Sequence, residues 1–146
     1  MTITSPAFEN NQPIPDKYTC KGENISPPLL FSDAPAEAQS LVLIVDDPDA
    51  PGKTWAHWVV YNIDPKTTEV KENMVPNKGK QALTDFGKSG YGGPCPPSGT
   101  HRYFFKLYAL DDKLTNLPNF TDKDMLEEVM QDRVLAQAEL IGVFSA

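Results

Sequence analysis

Runs of apolar residues along the chain predict three central β-strands. Residues 41–45 are apolar at every position, which is the pattern of a strand buried on both faces. Residues 58–63 are rich in β-branched and aromatic side chains, and residues 102–110 form the clearest strand pattern in the sequence. Because residues 102–110 carry aromatic side chains on both faces, we expect the sheet that contains them to be packed on two sides.

Helical periodicity occurs over residues 122–138 alone. Apolar side chains recur there at spacings of three and four residues, at Met125, Leu126, Val129, Met130, Val134, Leu135 and Ala138. Thr121 followed by Asp124 resembles a capping box, and acidic residues suit the first turn of a helix. Residues 139–144 then predict a closing strand.

The remaining segments predict loops with a few short strands. Short strands are expected near Ile3 and Tyr18, and residues 66–80 predict a surface excursion with one short strand near Val70. Residues 82–99 are rich in glycine and proline, and a loop of that length in a compact domain usually serves a function. The sequence contains no repeat and no linker, so we expect one domain over residues 1–146.

Composition and charge narrow the functional classes. The chain has 146 residues, of which 40% are hydrophobic and 23% charged, as in a globular protein, and its 14 prolines favour stiff loops between strands. A formal charge of -7 disfavours nucleic acid and acidic membrane surfaces as partners. The sequence carries neither a signal-peptide pattern nor an apolar stretch long enough to span a membrane, so we expect a cytoplasmic protein without stable membrane insertion.

The two cysteines leave alternatives open. Cys20 and Cys95 are too few for a disulfide scaffold or a structural zinc site, and in the cytosol they would usually be separate thiols. Both lie in polar loops rich in proline or glycine, where apolar packing does not explain them. A disulfide between the two loops is therefore a hypothesis worth testing.

Two stretches hold the candidate chemistry, and each contains one of the two histidines. Residues 46–58 contain three carboxylates, two prolines, His57 and both tryptophans, between two predicted strands. Residues 91–103 contain a glycine- and proline-rich loop that leads into His101 and the strongest strand. Either stretch alone is compatible with a structural turn. Together they place two histidines at the mouths of core strands beside stiff loops, which favours a rigid polar pocket.

The two stretches resemble the phosphatidylethanolamine-binding protein family, which includes the Raf kinase inhibitor proteins, and in particular its bacterial and archaeal subgroup. The residues that carry the match are Asp47-Pro48-Asp49-Ala50-Pro51, Trp55-Ala56-His57-Trp58 and the block from Gly93 to Tyr103. The resemblance implies a mainly-β fold, a β-sandwich of antiparallel sheets with Greek-key connections and one or two peripheral helices. It also implies a small pocket for phosphate-like or acetate-like anions.

Carried over to this sequence, the resemblance assigns the ligand-binding positions to Asp47, His57, Pro96, His101 and Tyr103. Asp49 and Trp55 would support these residues, and Gly93 and Pro94 would line the rim. Imidazole N–H groups and a tyrosine hydroxyl can donate to an anion, and the Asp47 carboxylate would orient one of the histidines. We expect Asp46, by contrast, to face solvent or to bond within its loop.

A carboxylate beside a histidine raises its pKa and favours the cationic form. Because an ordinary imidazole titrates near 6.5, anion affinity is expected to weaken above about pH 7. The function predicted in this way is non-catalytic binding of a phosphate or phosphoryl group without a cofactor. By resemblance, the partner would be a kinase or a serine protease that the protein regulates, and the sequence leaves a homodimer open.

Two alternatives remain. Asp47, His57 and His101 have the composition of a general-base pair or a metal triad, and an unpaired Cys95 beside a cationic histidine would be reactive, so a hydrolase-like or metal-dependent enzyme is the second hypothesis. The sequence supplies no convincing nucleophile or metal site for it. A purely structural interaction protein, docking through residues 66–80, is the third.

Overall fold

Four long strands form the centre of the molecule in the computed structural model, which describes residues 1–146. The strands are β1 Thr2–Thr4, β2 Gln12–Pro13, β3 Leu29–Ser32, β4 Ser40–Asp47, β5 Trp55–Ile63, β6 Glu69–Val70, β7 Lys80–Gln81, β8 Thr100–Leu110 and β9 Val134–Ser145. One α-helix, α1, runs from Lys123 to Met130, and Asp16–Tyr18 form a single turn of 3-10 helix. None of the helices has the length and apolar character that crossing a membrane requires.

The strands form two sheets. The smaller sheet has the order β1-β3-β6 and the larger has the order β2-β9-β8-β4-β5-β7. Neighbouring strands are antiparallel except for β2 and β9, which pair in parallel. The expected mainly-β sandwich of antiparallel sheets is confirmed, with the short β2 as the exception to its strand direction.

Strand β4 is buried at all eight positions because it lies between two cores. Leu43 and Val45 belong to a core between the two sheets, to which the smaller sheet contributes Phe31. The alternate positions of β4 face a second core, where Ile44 packs in the same cluster as Leu126 of α1. Because successive side chains of a strand point to opposite faces, a continuous apolar run is needed for a strand covered on both sides.

The predicted helix over residues 122–138 is wrong beyond Met130. After a turn at residues 131–133, the chain enters β9 at Val134, five residues before the predicted closing strand at residue 139. Ala136 and Ala138 are partly buried against the core and pair with Ala109 and Leu107 of β8. Residues four positions apart share a face in a helix and also in a strand, so the apolar spacings of four in this segment could not separate the two periods.

Three smaller expectations also change. Tyr18 lies in the 3-10 turn and not in a strand. Asp122, and not Thr121, caps α1, because its carboxylate accepts a hydrogen bond from the main-chain N–H of Met125 at 3.0 Å. Strand β8 is fully packed on one face only, since Phe104 and Tyr108 on the other face are half-buried.

Candidate functional site

The candidate residues meet because three antiparallel neighbours share one end of the larger sheet. Strand β4 ends where β5 and β8 begin, so that Asp47 pairs with Trp55, and Asp46 pairs with both Ala56 and Phe104. His101 and Tyr103 lie on the face of β8 that continues the core between the sheets. The end of that core is therefore lined by polar side chains instead of aliphatic ones.

A β-bulge places His57 on the same face. Val45 pairs with Trp58 while the next residue, Asp46, pairs with Ala56, so His57 is the additional residue on β5. Trp58 faces the core between the sheets, and strict alternation would have turned His57 to the opposite face. The bulge resets the alternation and lets His57 share a cavity with Trp55.

The cavity has a volume of about 320 Å³ and lies at this end of the sheet. Its lining residues combine a polar floor with an apolar rim: Asp47, Ala50, Pro51, Trp55, His57, Phe86, Cys95, Pro96, Pro97, His101 and Tyr103. The structure thus brings together the five positions that the sequence assigned to ligand binding. Trp55, assigned a supporting role, also lines the cavity.

Asp47 orients His101. The Nδ1 atom of His101 lies 2.7 Å from Oδ2 of Asp47, and both side chains are buried. The other carboxylate oxygen of Asp47 accepts a hydrogen bond of 2.7 Å from the main-chain N–H of Asp49. Both oxygens are therefore engaged within the protein, and Asp47 acts on the cavity through the imidazole that it holds.

His57 is oriented by the main chain. Its Nδ1 atom lies 2.7 Å from the carbonyl oxygen of Gly92, and because a carbonyl can only accept, Nδ1 carries the proton. The N–H of Gly92 in turn donates to the carbonyl of His57 at 3.0 Å. Burial lowers the pKa of His57 below its ordinary 6.5 and outweighs the Gly92 carbonyl and the charge of Asp47, which both raise it. The expected rise in histidine pKa is thus wrong for His57.

Three polar atoms of the cavity have no partner within the protein. They are Nε2 of His57, Nε2 of His101 and the hydroxyl of Tyr103, for which the structure contains no hydrogen bond. The rings lie close together, with centroids 5.2 Å apart for His57 and Tyr103 and 6.4 Å apart for His101 and Tyr103. Burial raises the pKa of Tyr103 well above its usual range, so the hydroxyl keeps its proton as a donor.

Asp49 supports the site from outside. Its carboxylate accepts three hydrogen bonds of 2.9 Å from Arg102, one from the main-chain N–H and two from the guanidinium. The side-chain bonds from Arg102 are the main reason that the pKa of Asp49 falls to about 2. The loop after β4 is thereby fastened to β8 beside His101.

Gly93 and Pro94 do not line the rim. Both are buried behind the cavity, where the N–H of Gly93 donates to Oδ1 of Asn24 at 2.9 Å. A Cβ at Gly93 would collide with that oxygen and with the carbonyl of Tyr18, so the main chains of the two loops approach as closely as glycine allows.

The sequence did not identify Phe86 as part of the wall. Its ring stands edge-on to the rings of Trp55 and His57, with centroid distances of 5.8 and 5.3 Å, and it is 42% exposed. The preceding Asp85 fixes this turn, because its carboxylate accepts a 2.6 Å hydrogen bond from the main-chain N–H of Ala56. An aromatic residue beside a glycine in a long polar loop was the signal available for it.

The expectation for Asp46 is wrong. Its side chain is fully buried on the opposite face of β4, with Oδ2 at 3.0 Å from Nζ of Lys106 and 3.8 Å from Nζ of Lys123. Oδ1 has no hydrogen-bond partner. Burial raises the pKa of Asp46, and the two lysines counter this effect only in part.

The geometry bears on the enzyme alternatives. The structure contains no group of three or more side chains placed to hold a metal ion, because Asp47 directs its oxygens at His101 and Asp49. Cys20 and Cys95 form a disulfide, so Cys95 presents no thiol in this state. The cavity thus offers oriented polar donors and acceptors, and neither cysteine contributes a thiol to it.

The two packed sheets, with a polar cavity at one end of the larger sheet, make this a β-sandwich protein with a candidate binding site. The family model for phosphatidylethanolamine-binding protein matches residues 4–145. The UPF0098 protein of Methanothermobacter thermautotrophicus is 51% identical over 149 residues, covering 99% of this chain and 98% of that protein. The UPF0098 protein of Aquifex aeolicus is 46% identical, covering 99% and 88%. The chain belongs to the phosphatidylethanolamine-binding protein family.

Solved structures agree with this assignment. A crystal structure described as that of a phosphatidylethanolamine-binding protein homologue from Chlamydia trachomatis superposes with a TM-score of 0.93 at 45% identity, covering 99% of this chain and 97% of that one. The structure of E. coli YbcL, described as a new member of the mammalian family, gives a TM-score of 0.92 at 29% identity and covers 99% and 98%. The resemblance read from the sequence is thus confirmed at the level of family and fold.

Proposed function

We propose that the protein binds a small anion, a phosphoryl or carboxylate group, in the cavity between His57, His101 and Tyr103, and does not convert it chemically. The observation that carries the proposal is the set of three polar atoms that face the cavity without a partner in the protein. These atoms open onto a concave site with oriented polar groups, where a ligand with complementary groups can replace water as their partner.

Protonation decides which ligands these atoms favour. In both histidines Nδ1 is already engaged, with Gly92 and with Asp47, so each Nε2 can donate only when the ring is an imidazolium. An anion stabilises that form, and Asp47 offsets part of its charge. Because burial lowers the pKa of His57, anion binding would draw a proton from solvent, and affinity would rise as the pH falls.

The rim suggests what else the ligand carries. Pro51, Trp55, Phe86 and Pro97 surround the polar floor with apolar surface. A cavity of about 320 Å³ lies at the small end of ligand sites. A ligand with one anionic group and a short apolar substituent would match both parts of the wall.

Titration with inorganic sulfate tests the proposal, because the charge of sulfate is constant over the relevant pH range. The imidazole signals of His57 and His101 in NMR spectra report the site directly. We expect sulfate affinity to be at least about tenfold higher at pH 5.5 than at pH 8. Affinity that does not change with pH, or chemical shifts confined to other residues, would contradict the proposal.

A matched pair of variants separates the site from the surface. Tyr103→Phe removes a donor at the cavity and is expected to weaken sulfate binding about threefold to tenfold. Tyr108→Phe makes the same change on the outer face of β8 and is expected to leave binding unchanged. Equal effects of the two substitutions would place the ligand elsewhere. Regulation of a kinase or a serine protease stays a prediction from the family resemblance.

A further inference from the structure

One wall of the cavity is made by a segment with very few connections to the rest of the protein. Cys95, Pro96 and Pro97 line the cavity, and the residues that follow, to Thr100, are exposed. The two prolines have no N–H group to donate. The structure contains no hydrogen bond from any main-chain or side-chain group of residues 95–98.

Hydrogen bonds fasten the chain on either side of this segment. Before it, the carbonyl of Pro94 accepts from the N–H of Cys20 at 3.1 Å, and Gly93 is tied to Asn24. After it, the carbonyl of Gly99 accepts from the N–H of Ala146 at 2.9 Å. Between these anchors the only cross-link is the disulfide between Cys95 and Cys20, residues 75 positions apart in the sequence.

We infer that the Cys20–Cys95 disulfide is a redox-reactive site whose oxidised form holds the proline wall of the cavity in place, and that a dithiol reductant opens it. The disulfide occupies the position of a tether, because it is the one cross-link of a segment around Pro96 that no hydrogen bond fixes. The expected change in affinity rests on the proposed anion binding. The expected release of residues 95–98 on reduction depends on the cross-link alone.

The chemistry requires a reductant that can reach the sulfur atoms. Both cysteines are exposed at the surface. A thiolate of a dithiol reductant attacks one sulfur of the bridge, forming a mixed disulfide while the Cys20–Cys95 bond breaks. The second thiol of the reductant then closes its own disulfide. The two electrons and two protons that the dithiol gives up leave Cys20 and Cys95 as free thiols.

Opening the bridge affects binding through conformational entropy. Residues 95–98 would gain conformational freedom when the tether is cut, although Pro96 and Pro97 keep φ fixed, and a ligand would have to order them again. The entropy cost of ordering one or two residues corresponds to a factor of about ten or more in an equilibrium constant. We therefore expect anion affinity to fall by about tenfold on reduction. Gly93 and Pro94 keep their hydrogen bonds, so His57 and its carbonyl partner would stay in position.

The experiment compares oxidised and dithiol-reduced protein at pH 5.5, with sulfate as the probe. Sulfate affinity and the heteronuclear NOE of the main-chain amides of Cys95, Ser98 and Gly99, which reports their fast motion, are measured on both, below the unfolding temperature of the reduced form. Cys20→Ser/Cys95→Ser should match the reduced protein and ignore the reductant. A methylene bridge inserted chemically between the two thiols restores a tether that reductant cannot cut, and it should restore both the affinity and the rigidity of these amides.

Reduction that lowers the heteronuclear NOE at these amides and weakens sulfate binding, with recovery on reoxidation, supports the inference. Equal NOE values and equal affinity in the oxidised and reduced proteins overturn it. If the oxidised protein binds no sulfate, the proposed function fails, and the NOE values alone then decide whether the bridge holds the wall. A loss of affinity in the methylene-bridged protein on adding reductant would also overturn the inference, because no bridge is cut there.

Discussion

Asp46 and Asp47 are adjacent in the sequence, but their carboxylates lie on opposite faces of β4. Asp47 bonds Nδ1 of His101 at 2.7 Å in the candidate site, and Asp46 bonds Nζ of Lys106 at 3.0 Å on the outer face. Both side chains are buried. Alternation along a strand therefore gives two identical residues separate roles, one in orienting a ligand-facing histidine and one in an ion pair beside α1.

The raised pKa of Asp46 predicts a pH-dependent stability. The folded state holds the proton of Asp46 at pH values where the unfolded chain has released it. The contribution of Asp46 is therefore most favourable below its unfolded value of 3.8 and is lost as the pH rises through the higher folded pKa. Asp46→Asn removes this dependence, so the variant should gain stability relative to the wild type as the pH increases.

Urea unfolding of both proteins between about pH 3.5 and pH 7 measures that difference. The sulfate affinity of Asp46→Asn should fall only slightly, because the residue lies outside the cavity and acts on His57 through its charge alone. A difference in unfolding free energy that is flat with pH, or that favours the wild type at higher pH, would contradict the assignment.

The lowered pKa of His57 predicts the opposite slope at higher pH. Below 6.5 the unfolded chain binds a proton at this residue while the folded protein, which buries it neutral, does not. Stability is accordingly lost as the pH falls from 6.5 towards the folded pKa. In His57→Gln this loss should disappear, and comparing the two proteins by urea unfolding isolates the contribution of this histidine.

The disulfide predicts a large change in stability. In the chain-entropy model, cutting a bridge that closes a loop of 75 residues lowers the free energy of unfolding by about 4 kcal/mol. Cys20→Ser/Cys95→Ser should therefore unfold at a clearly lower urea concentration than the oxidised wild type. The reduced wild type provides the matched control, and the two should agree.

The surroundings of Gly92 and Gly93 predict different effects on stability when each glycine is replaced by alanine. Gly93→Ala would press on the main chain at Tyr18, which cannot move without opening the loop contact, and should destabilise the protein by about 2 kcal/mol. The three atoms nearest to a Cβ at Gly92 belong to the exposed ring of Phe86, which can rotate away in Gly92→Ala. This substitution should change stability by less than about 1 kcal/mol while weakening ligand binding.

Unfolding midpoints and sulfate titrations on the two glycine variants check these expectations together. Equal losses of stability would show that the two close approaches are equally rigid. Unchanged sulfate affinity in Gly92→Ala would remove Phe86 from the ligand wall.

The sequence by itself determined the buried strands and the family. The apolar run in β4 requires cover on both faces, and the blocks around His57 and His101 carry a specific resemblance, so fold class and candidate positions followed from local pattern. The end of α1 could not be predicted from the local pattern, because residues four positions apart share a face in both a helix and a strand. Pairing with β8 decides between the two structures.

Tertiary structure alone decided the features that set the chemistry. The bulge at His57 depends on its register with β4, and no local signal marks it. Burial in the assembled core lowers the pKa of His57 and raises that of Asp46, whereas a sequence reveals only that charged neighbours exist. The meeting of Cys20 and Cys95 likewise required the two loops to be packed together. Register, desolvation and long-range proximity are properties of the folded chain, which is why the pattern of residues indicated a pocket without fixing its protonation.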